Sequence, residues 1–66
     1  MKNIDIVMEC KEYAILYNWD ATFTPWIVAF KLDKSDMTWE QGHYFSDKDS
    51  CYKYFIDTIR TSIQLD

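Results

Sequence analysis

The spacing of the apolar residues changes at Phe45, and this change constrains the fold more than any other feature of the sequence. Before Phe45, residues 26–32 alternate Trp26, Val28 and Phe30 with Ile27 and Ala29, the period of a β-strand. After Phe45 the apolar residues recur every three or four positions, which is typical of a helix with one buried face. The sequence therefore predicts an α+β fold with a single C-terminal helix.

Two or three further strands are predicted around this one. Residues 13–19 are rich in aromatic and β-branched side chains, which favours a strand. The polar residues 33–36 have the length of a hairpin connection, so residues 37–45 are predicted as the next strand. Residues 3–12 fit either a strand or a short helix, and we favour the strand. We expect an antiparallel sheet of three or four strands with the helix on one face.

Gly42 lies inside the strand predicted over residues 37–45 and leaves its register open. Glycine weakens a strand, so we expect a bulge or a close approach of backbone at this position. Without a bulge, Trp39 shares a face with His43 and Phe45, and with a bulge Trp39 lies opposite them. Both registers are compatible with the residue pattern.

The helix is expected to begin at residues 46–49, because Ser46 and Asp49 have the Ser-x-x-Asp spacing of an N-terminal capping box. The acidic residues also suit the positive end of the helix dipole. The side chains expected to pack on the sheet are Cys51, Tyr52, Phe55, Ile56, Ile59 and Ile63. The side chains expected to face water are Asp49, Lys53, Asp57 and Arg60.

The size and charge of the chain exclude several classes of protein. Sixty-six residues suffice for one domain, so residues 1–66 are expected to form a single domain. The net charge of −4 argues against direct binding to nucleic acid or to an anionic membrane. Near the N-terminus we find neither the apolar core of a signal peptide nor a membrane span, and we expect a soluble, cytoplasmic protein. Cys10 and Cys51 lack disulfide or metal spacing and are expected to be buried or half-buried thiols.

The residues that could carry chemistry have simpler structural explanations. His43 is the single histidine, and no second ligand or nucleophile accompanies it at the required spacing. Asp47 and Asp49 are paired carboxylates, but a helix start explains them as capping residues. The single glycine cannot form a phosphate-binding loop. We therefore expect no enzyme activity, no metal and no cofactor.

A strand, a hairpin and a helix follow one another over residues 26–55, and the step Gly-His-Tyr-Phe-Ser-Asp at residues 42–47 precedes the helix. This order resembles the domain by which phage-type integrases grip their arm sites. The resemblance covers about half the chain and implies an antiparallel sheet with a helix on one face. In the integrase domains the open sheet face is basic and reads DNA, whereas the same face here offers Lys31 alone. The resemblance therefore extends to the fold and not to DNA binding.

The chain carries 3 Trp, 5 Tyr and 4 Phe, more aromatic surface than a domain of this size readily buries. One helix covers one sheet face, so the other face is expected to remain open. That face would offer a protein partner Ile27, Lys31, Trp39 and Tyr44. The alternative is that the N-terminal segment folds over it.

Chain direction predicts a second partner surface. Because successive strands alternate in direction, the loop at residues 20–25 and the helix start should lie at the same end of the sheet. Acidic residues would there surround aromatic ones, an arrangement that suits a basic protein partner. The residues concerned are Asp20, Phe23, Trp26, Asp47 and Asp49.

A tiny, acidic, aromatic-rich chain without a catalytic group is similar in format to the accessory proteins with which phages and mobile elements block host machinery, anti-CRISPR proteins among them. That resemblance implies a stoichiometric inhibitor of a nucleic-acid-processing or defence complex. Its partner would be a basic nucleic-acid-binding protein. The alternative is a small structural or accessory protein that forms a homodimer through the open face or an edge strand, without a foreign target.

Overall fold

The computed structural model describes residues 3–64 of the chain, with side chains described as far as Thr61. Four strands precede one helix: β1 (Ile4–Cys10), β2 (Tyr13–Asn18), β3 (Trp26–Phe30), β4 (Gln41–Phe45) and α1 (Lys48–Gln64). The strands lie in the order β1-β2-β3-β4, and each is antiparallel to the next. The predicted α+β fold is confirmed, and the segment that fitted either a strand or a helix is a strand.

The first hairpin has a tight turn and an irregular edge strand. Lys11 and Glu12 connect β1 to β2, and Lys11 adopts a positive φ of 56°. The pairing register shifts between Ile6 and Met8, so Val7 is the extra residue of a β-bulge. The irregularity of this sheet therefore lies in β1.

The helix packs across β2, β3 and β4 on one face of the sheet. Side chains of paired residues in an antiparallel sheet point to the same side. Ile15 and Val28 are such a pair, and they form a buried cluster with Cys51, Phe55 and Ile59 of the helix. This helix-side cluster is the larger of two cores.

The opposite face, called the second sheet face below, has its own buried cluster. Ala14, Ala29 and Gly42 are aligned across three strands, so small residues form a row on this face. Leu32 and Trp39, from the connection between β3 and β4, pack against this face. The small residues thus provide the space that a tryptophan ring needs.

The expectation of an open second sheet face is wrong for Ile27, which is 1% exposed. Trp39, expected to be exposed on this face, instead packs against the face from the connection and is half-buried. The cover comes from residues 31–40, whereas the N-terminal segment forms β1 of the sheet and adds Ile4 to the buried cluster from the edge. Lys31 and Tyr44 are exposed.

Gly42 pairs in regular register with Ala29, so no bulge occurs at the glycine. A Cβ atom at Gly42 would lie 2.6 Å from Nε1 of Trp39, which means that the close approach is by a side chain and not by backbone. His43 and Phe45 face the helix, whereas Trp39 lies on the second sheet face. Both registers predicted from the sequence assume that Trp39 belongs to the same strand as His43 and Phe45. In the structure Trp39 precedes β4 and lies outside any regular strand.

The strands on either side of this connection are shorter than predicted. The strand predicted over residues 26–32 ends at Phe30, because Lys31 turns into the left-handed region with φ 57°. The strand predicted from residue 37 begins at Gln41. The connection is therefore ten residues long, from 31 to 40, and the predicted four-residue link is only its tip.

That tip is stabilised by local hydrogen bonds. Asp33 and Thr38 form an isolated antiparallel bridge. Oδ1 of Asp33 accepts hydrogen bonds from the hydroxyl and from the backbone N–H of Ser35, and these bonds, the hydroxyl's first, lower the pKa of Asp33. Lys34 reaches Glu9 of β1 with a distance of 2.9 Å between Nζ and Oε2. The connection is therefore anchored across the second sheet face.

The N-cap of the helix lies one residue later than predicted. Oδ2 of Asp47, and not the hydroxyl of Ser46, accepts the N–H of Ser50 at 2.8 Å, so Asp47 is the N-cap. This hydrogen bond lowers the pKa of Asp47. Ile56, predicted to be packed, is 51% exposed because it lies on the flank of the buried helix stripe. The side chain of Ile63 lies outside the described residues.

Candidate functional site

Strand pairing brings a carboxylate and two aromatic rings into line on the helix side of the sheet. Asp5 of β1 pairs with Tyr17 of β2, and Tyr17 pairs with Trp26 of β3. Paired residues lie about 4.5–5.5 Å apart and point the same way. The register of three strands therefore builds this line from residues that are distant in the sequence.

Two further aromatic residues pack against this line. Trp19, one residue beyond the end of β2, packs edge to face on Tyr17 with ring centroids 4.7 Å apart. Tyr17 meets Trp26 at 4.8 Å, and Trp26 meets Tyr52 of the helix at 6.0 Å, in the same geometry. Edge-to-face pairs at these distances are favourable beyond the area they bury. Trp19, Tyr17, Trp26 and Tyr52 are called the aromatic row below.

An open pocket of about 340 Å³ lies beside the aromatic row, over the part of β1 that the helix leaves exposed. Its lining is mainly apolar and consists of Asp5, Val7, Tyr17, Trp19 and Trp26. Val7 is the extra residue of the bulge in β1. We call this cavity the aromatic pocket.

The lining and its surroundings are accessible to a partner. Trp19 is 59% exposed, and Phe23 in the adjoining loop is 82% exposed. Val7 of the lining and Met8, which pairs with the helix-side residue Ile15, are also exposed large apolar residues. Contiguous exposed apolar surface of this kind marks interaction sites in small proteins.

Electrostatic contacts are present at both ends of the aromatic row. Nε1 of Trp19 donates a hydrogen bond to Oδ2 of Asp5 at 2.7 Å, which fixes the indole beside the carboxylate. At the other end, Nζ of Lys48 lies 5.4 Å from the ring centroid of Tyr52, within the range of a cation–π contact. The row thus already attracts one cation of the chain itself.

The register also places acidic residues around this site. Because Trp26 pairs with Phe45, the loop at residues 19–25 and the start of the helix lie at the same end of the sheet, as expected. We call this region the aromatic end. The exposed carboxylates at the aromatic end are Asp5, Asp20, Asp47 and Asp49.

The structure divides the residues predicted to bind a partner into two groups. Trp26 lines the aromatic pocket, and four others lie at the aromatic end, namely Asp20, Phe23, Asp47 and Asp49. The remaining four belong to the second sheet face or its border: Ile27, Lys31, Trp39 and Tyr44. The two predicted surfaces are therefore separate, and Ile27 is buried beneath one of them.

Four pocket residues were missed from the sequence: Asp5, Val7, Tyr17 and Trp19. The alternation of Tyr17 and Trp19 with the strand period was a usable signal, because residues two apart share a face. Asp5 and Val7 carried no such signal. Their position depends on the pairing of β1 and on its bulge.

Metal binding, membrane spans and the two cysteines are the remaining features that bear on function. Among residues 3–64 as described, no group of three or more His, Cys, Asp or Glu is placed to hold a metal ion. None of the described helical residues forms a helix long and apolar enough to cross a membrane. Cys51 is buried and Cys10 half-buried, both as free thiols, which confirms that prediction. Burial raises the pKa of Cys51 to about 11, and the charge of Asp47 acts in the same direction.

The comparisons with protein-family models, with curated proteins and with solved structures found no match for this chain.

Proposed function

We propose that the protein is a small acidic protein-binding module that inhibits a nucleic-acid-processing or defence complex by stoichiometric binding, as anti-CRISPR proteins do. It contacts a basic nucleic-acid-binding protein through the aromatic end. The observation that carries this proposal is the exposure of Trp19 and Phe23 beside four exposed carboxylates. No catalysis, cofactor or direct contact with nucleic acid or membrane is part of the proposal.

The shape of the aromatic end supports binding because its largest side chain is held in place before a partner arrives. Trp19 is oriented by its hydrogen bond to Asp5 and by its packing on Tyr17. A side chain that is already ordered loses less conformational entropy on binding. Tryptophan and tyrosine are also enriched among the residues that dominate binding energy at protein interfaces.

The charge at this end supports a basic partner. Its carboxylates Asp5, Asp20, Asp47 and Asp49 outnumber its one described base, Lys48. Complementary charge speeds encounter with a basic surface and disfavours acidic partners. A groove that normally binds the phosphates of DNA or RNA has the matching charge.

The proposal is tested by inhibition assays on a panel of purified basic nucleic-acid enzymes, with RNA-guided nucleases among them. The double variant Trp19→Ala, Phe23→Ala removes the exposed aromatic surface of the aromatic end. The control is Tyr44→Ala, which removes a 54% exposed aromatic side chain from the second sheet face. Circular dichroism confirms that each variant is folded.

We expect the natural protein and Tyr44→Ala to inhibit one enzyme of the panel with an end point at a fixed molar ratio. The double variant should be weaker by about tenfold or more, the effect of losing an interface anchor. Loss of inhibition in Tyr44→Ala alone would move the site to the second sheet face. Failure to bind or inhibit any enzyme of the panel would contradict the inhibitor proposal.

A second candidate function is a homodimer without a foreign target. The observation that favours it is the run of exposed apolar residues Ile6, Val7 and Met8 in the edge strand β1, since exposed edges pair readily with another chain. Light scattering distinguishes the two functions. A dimer has twice the mass of the 8.0 kDa chain, and Met8→Lys should return it to monomer. A monomer at all concentrations excludes this alternative.

A further inference from the structure

We infer that the aromatic pocket receives an arginine side chain of the partner protein. This inference rests on the proposed protein-binding function and names the group that the pocket recognises. The pocket combines a carboxylate, Asp5, with the rings of Tyr17, Trp19 and Trp26. Its volume of about 340 Å³ falls at the lower end of the range of ligand pockets, roughly 300–1,000 Å³.

The ring faces of this chain already attract cations. Lys48 lies over Tyr52 at the far end of the aromatic row, and Lys31 lies 5.5 Å from the ring centroid of Phe30. Tryptophan is the strongest aromatic partner for a cation. Trp19, with 59% of its surface exposed, is open to a cation from outside the chain.

Asp5 retains capacity for an incoming donor. A carboxylate has about four lone-pair sites for hydrogen bonds. Trp19 occupies one of them, on Oδ2. Among the side-chain hydrogen bonds of the described residues, none reaches Oδ1 of Asp5. A guanidinium group can therefore donate to the carboxylate while it stacks on the indole.

Arginine fits this combination better than lysine does. Its guanidinium is planar, stacks on aromatic rings and presents several N–H donors that match a carboxylate, whereas a lysine ammonium is a strongly hydrated point charge. The net charge of −4 further favours a cationic group over a neutral apolar one. The aromatic pocket is thus a site at which one basic side chain of the partner is anchored.

The experiment is an NMR titration of the full chain with a capped Gly-Arg-Gly peptide. The three tryptophan indole N–H signals are followed separately. Matched peptides carry lysine or the neutral isostere citrulline in place of arginine. Trp39 is an internal control, because it packs on the second sheet face.

We expect the signals of Trp19 and Trp26 to move in a saturable way, with a Kd of about 1–10 mM for a single side chain. Lysine should bind about threefold more weakly, and citrulline should produce no saturable shift. In variants, Asp5→Asn should weaken arginine binding about fivefold or more. Asp57→Asn, which removes an exposed carboxylate from the water-facing side of the helix, should change it less than about twofold.

Several results would overturn the inference. Equal loss in Asp5→Asn and Asp57→Asn would mean that only the net charge matters. Equal binding of arginine and citrulline would mean an apolar pocket without charge recognition. The peptide comparison uses the natural chain, so it decides the question even where Asp5→Asn fails to fold. Enzyme inhibition without arginine binding would reject this inference and leave the proposed function standing, whereas arginine binding without an inhibited enzyme would reject the inhibitor alone.

Discussion

Replacement of Gly42 by alanine tests whether Trp39 closes the second sheet face. The added Cβ would lie 2.6 Å from Nε1 and 3.1 Å from Cδ1 of Trp39, and 3.2 Å from the hydroxyl oxygen of Tyr44. The nearest of these distances is well inside van der Waals contact. The indole must therefore move away from the row of small residues on which it packs.

Two opposing terms set the size of the effect. Forcing an extra carbon into a packed site costs about 1–3 kcal/mol. Alanine in place of a strand glycine returns about 0.5–1 kcal/mol through the reduced entropy of the unfolded chain. The net loss expected for Gly42→Ala is therefore between about 0 and about 2.5 kcal/mol. When Trp39 is also replaced by alanine, the clash disappears and Gly42→Ala should stabilise the protein by about 0.5 kcal/mol.

The assay is a double-mutant cycle of urea unfolding followed by far-UV circular dichroism, a signal that does not depend on tryptophan fluorescence. The coupling energy between Gly42 and Trp39 should be at least about 1 kcal/mol. In thermal unfolding, each kcal/mol corresponds to roughly 4–8 °C for a domain of this size. If Gly42→Ala has the same effect in both backgrounds, Trp39 does not cover Gly42. The second sheet face would then be open, and Tyr44 would return as a candidate contact for a partner.

The helix and its core provide three further tests. Asp47→Ala should lower the urea midpoint at about pH 7, because the hydrogen bond from Ser50 lowers the pKa of Asp47 below its usual 3.8. This stabilisation is present above the usual pKa and is lost as the pH falls through the folded pKa. A difference in urea midpoint between the two proteins that is unchanged at about pH 2.5 would contradict this reasoning. Cys51, whose pKa is raised to about 11, should resist iodoacetamide in the native protein at about pH 8, whereas Cys10 should react. Mass spectrometry measures the labelling, and equal labelling of the two thiols would refute the burial of Cys51. Phe55→Ala should cost about 3–5 kcal/mol and leave much of the chain unfolded in circular dichroism, whereas an unchanged urea midpoint would show that Phe55 is not in the core.

Local patterns predicted most of the elements because they depend on neighbouring residues. The alternation around Val28 and the four-residue spacing of Cys51, Phe55 and Ile59 each identified a buried face correctly. Element ends were less accurate. Strand β3 stops at Phe30 because of the backbone conformation of Lys31, which apolar periodicity does not report.

The candidate site was only partly predictable, because it forms between strands. The sequence indicated Trp26 and the acidic aromatic end through chain direction. It did not indicate Asp5, whose place beside Tyr17 depends on β1 being a strand and on its register. The second sheet face was misjudged for a similar reason, because its cover is an irregular connection that crosses from one edge of the sheet toward the other.

The sequence by itself determined the class of fold, the order of strands and helix, the helix-side core and the acidic, aromatic character of one end. These properties follow from the period of apolar residues within each element and from the alternating direction of the strands. Only the tertiary structure decided that Trp39 covers the second sheet face and that Asp5 joins Tyr17, Trp19 and Trp26 in one pocket. The physical reason is that periodicity specifies which side chains share a face, whereas the pairing of distant segments decides what covers that face.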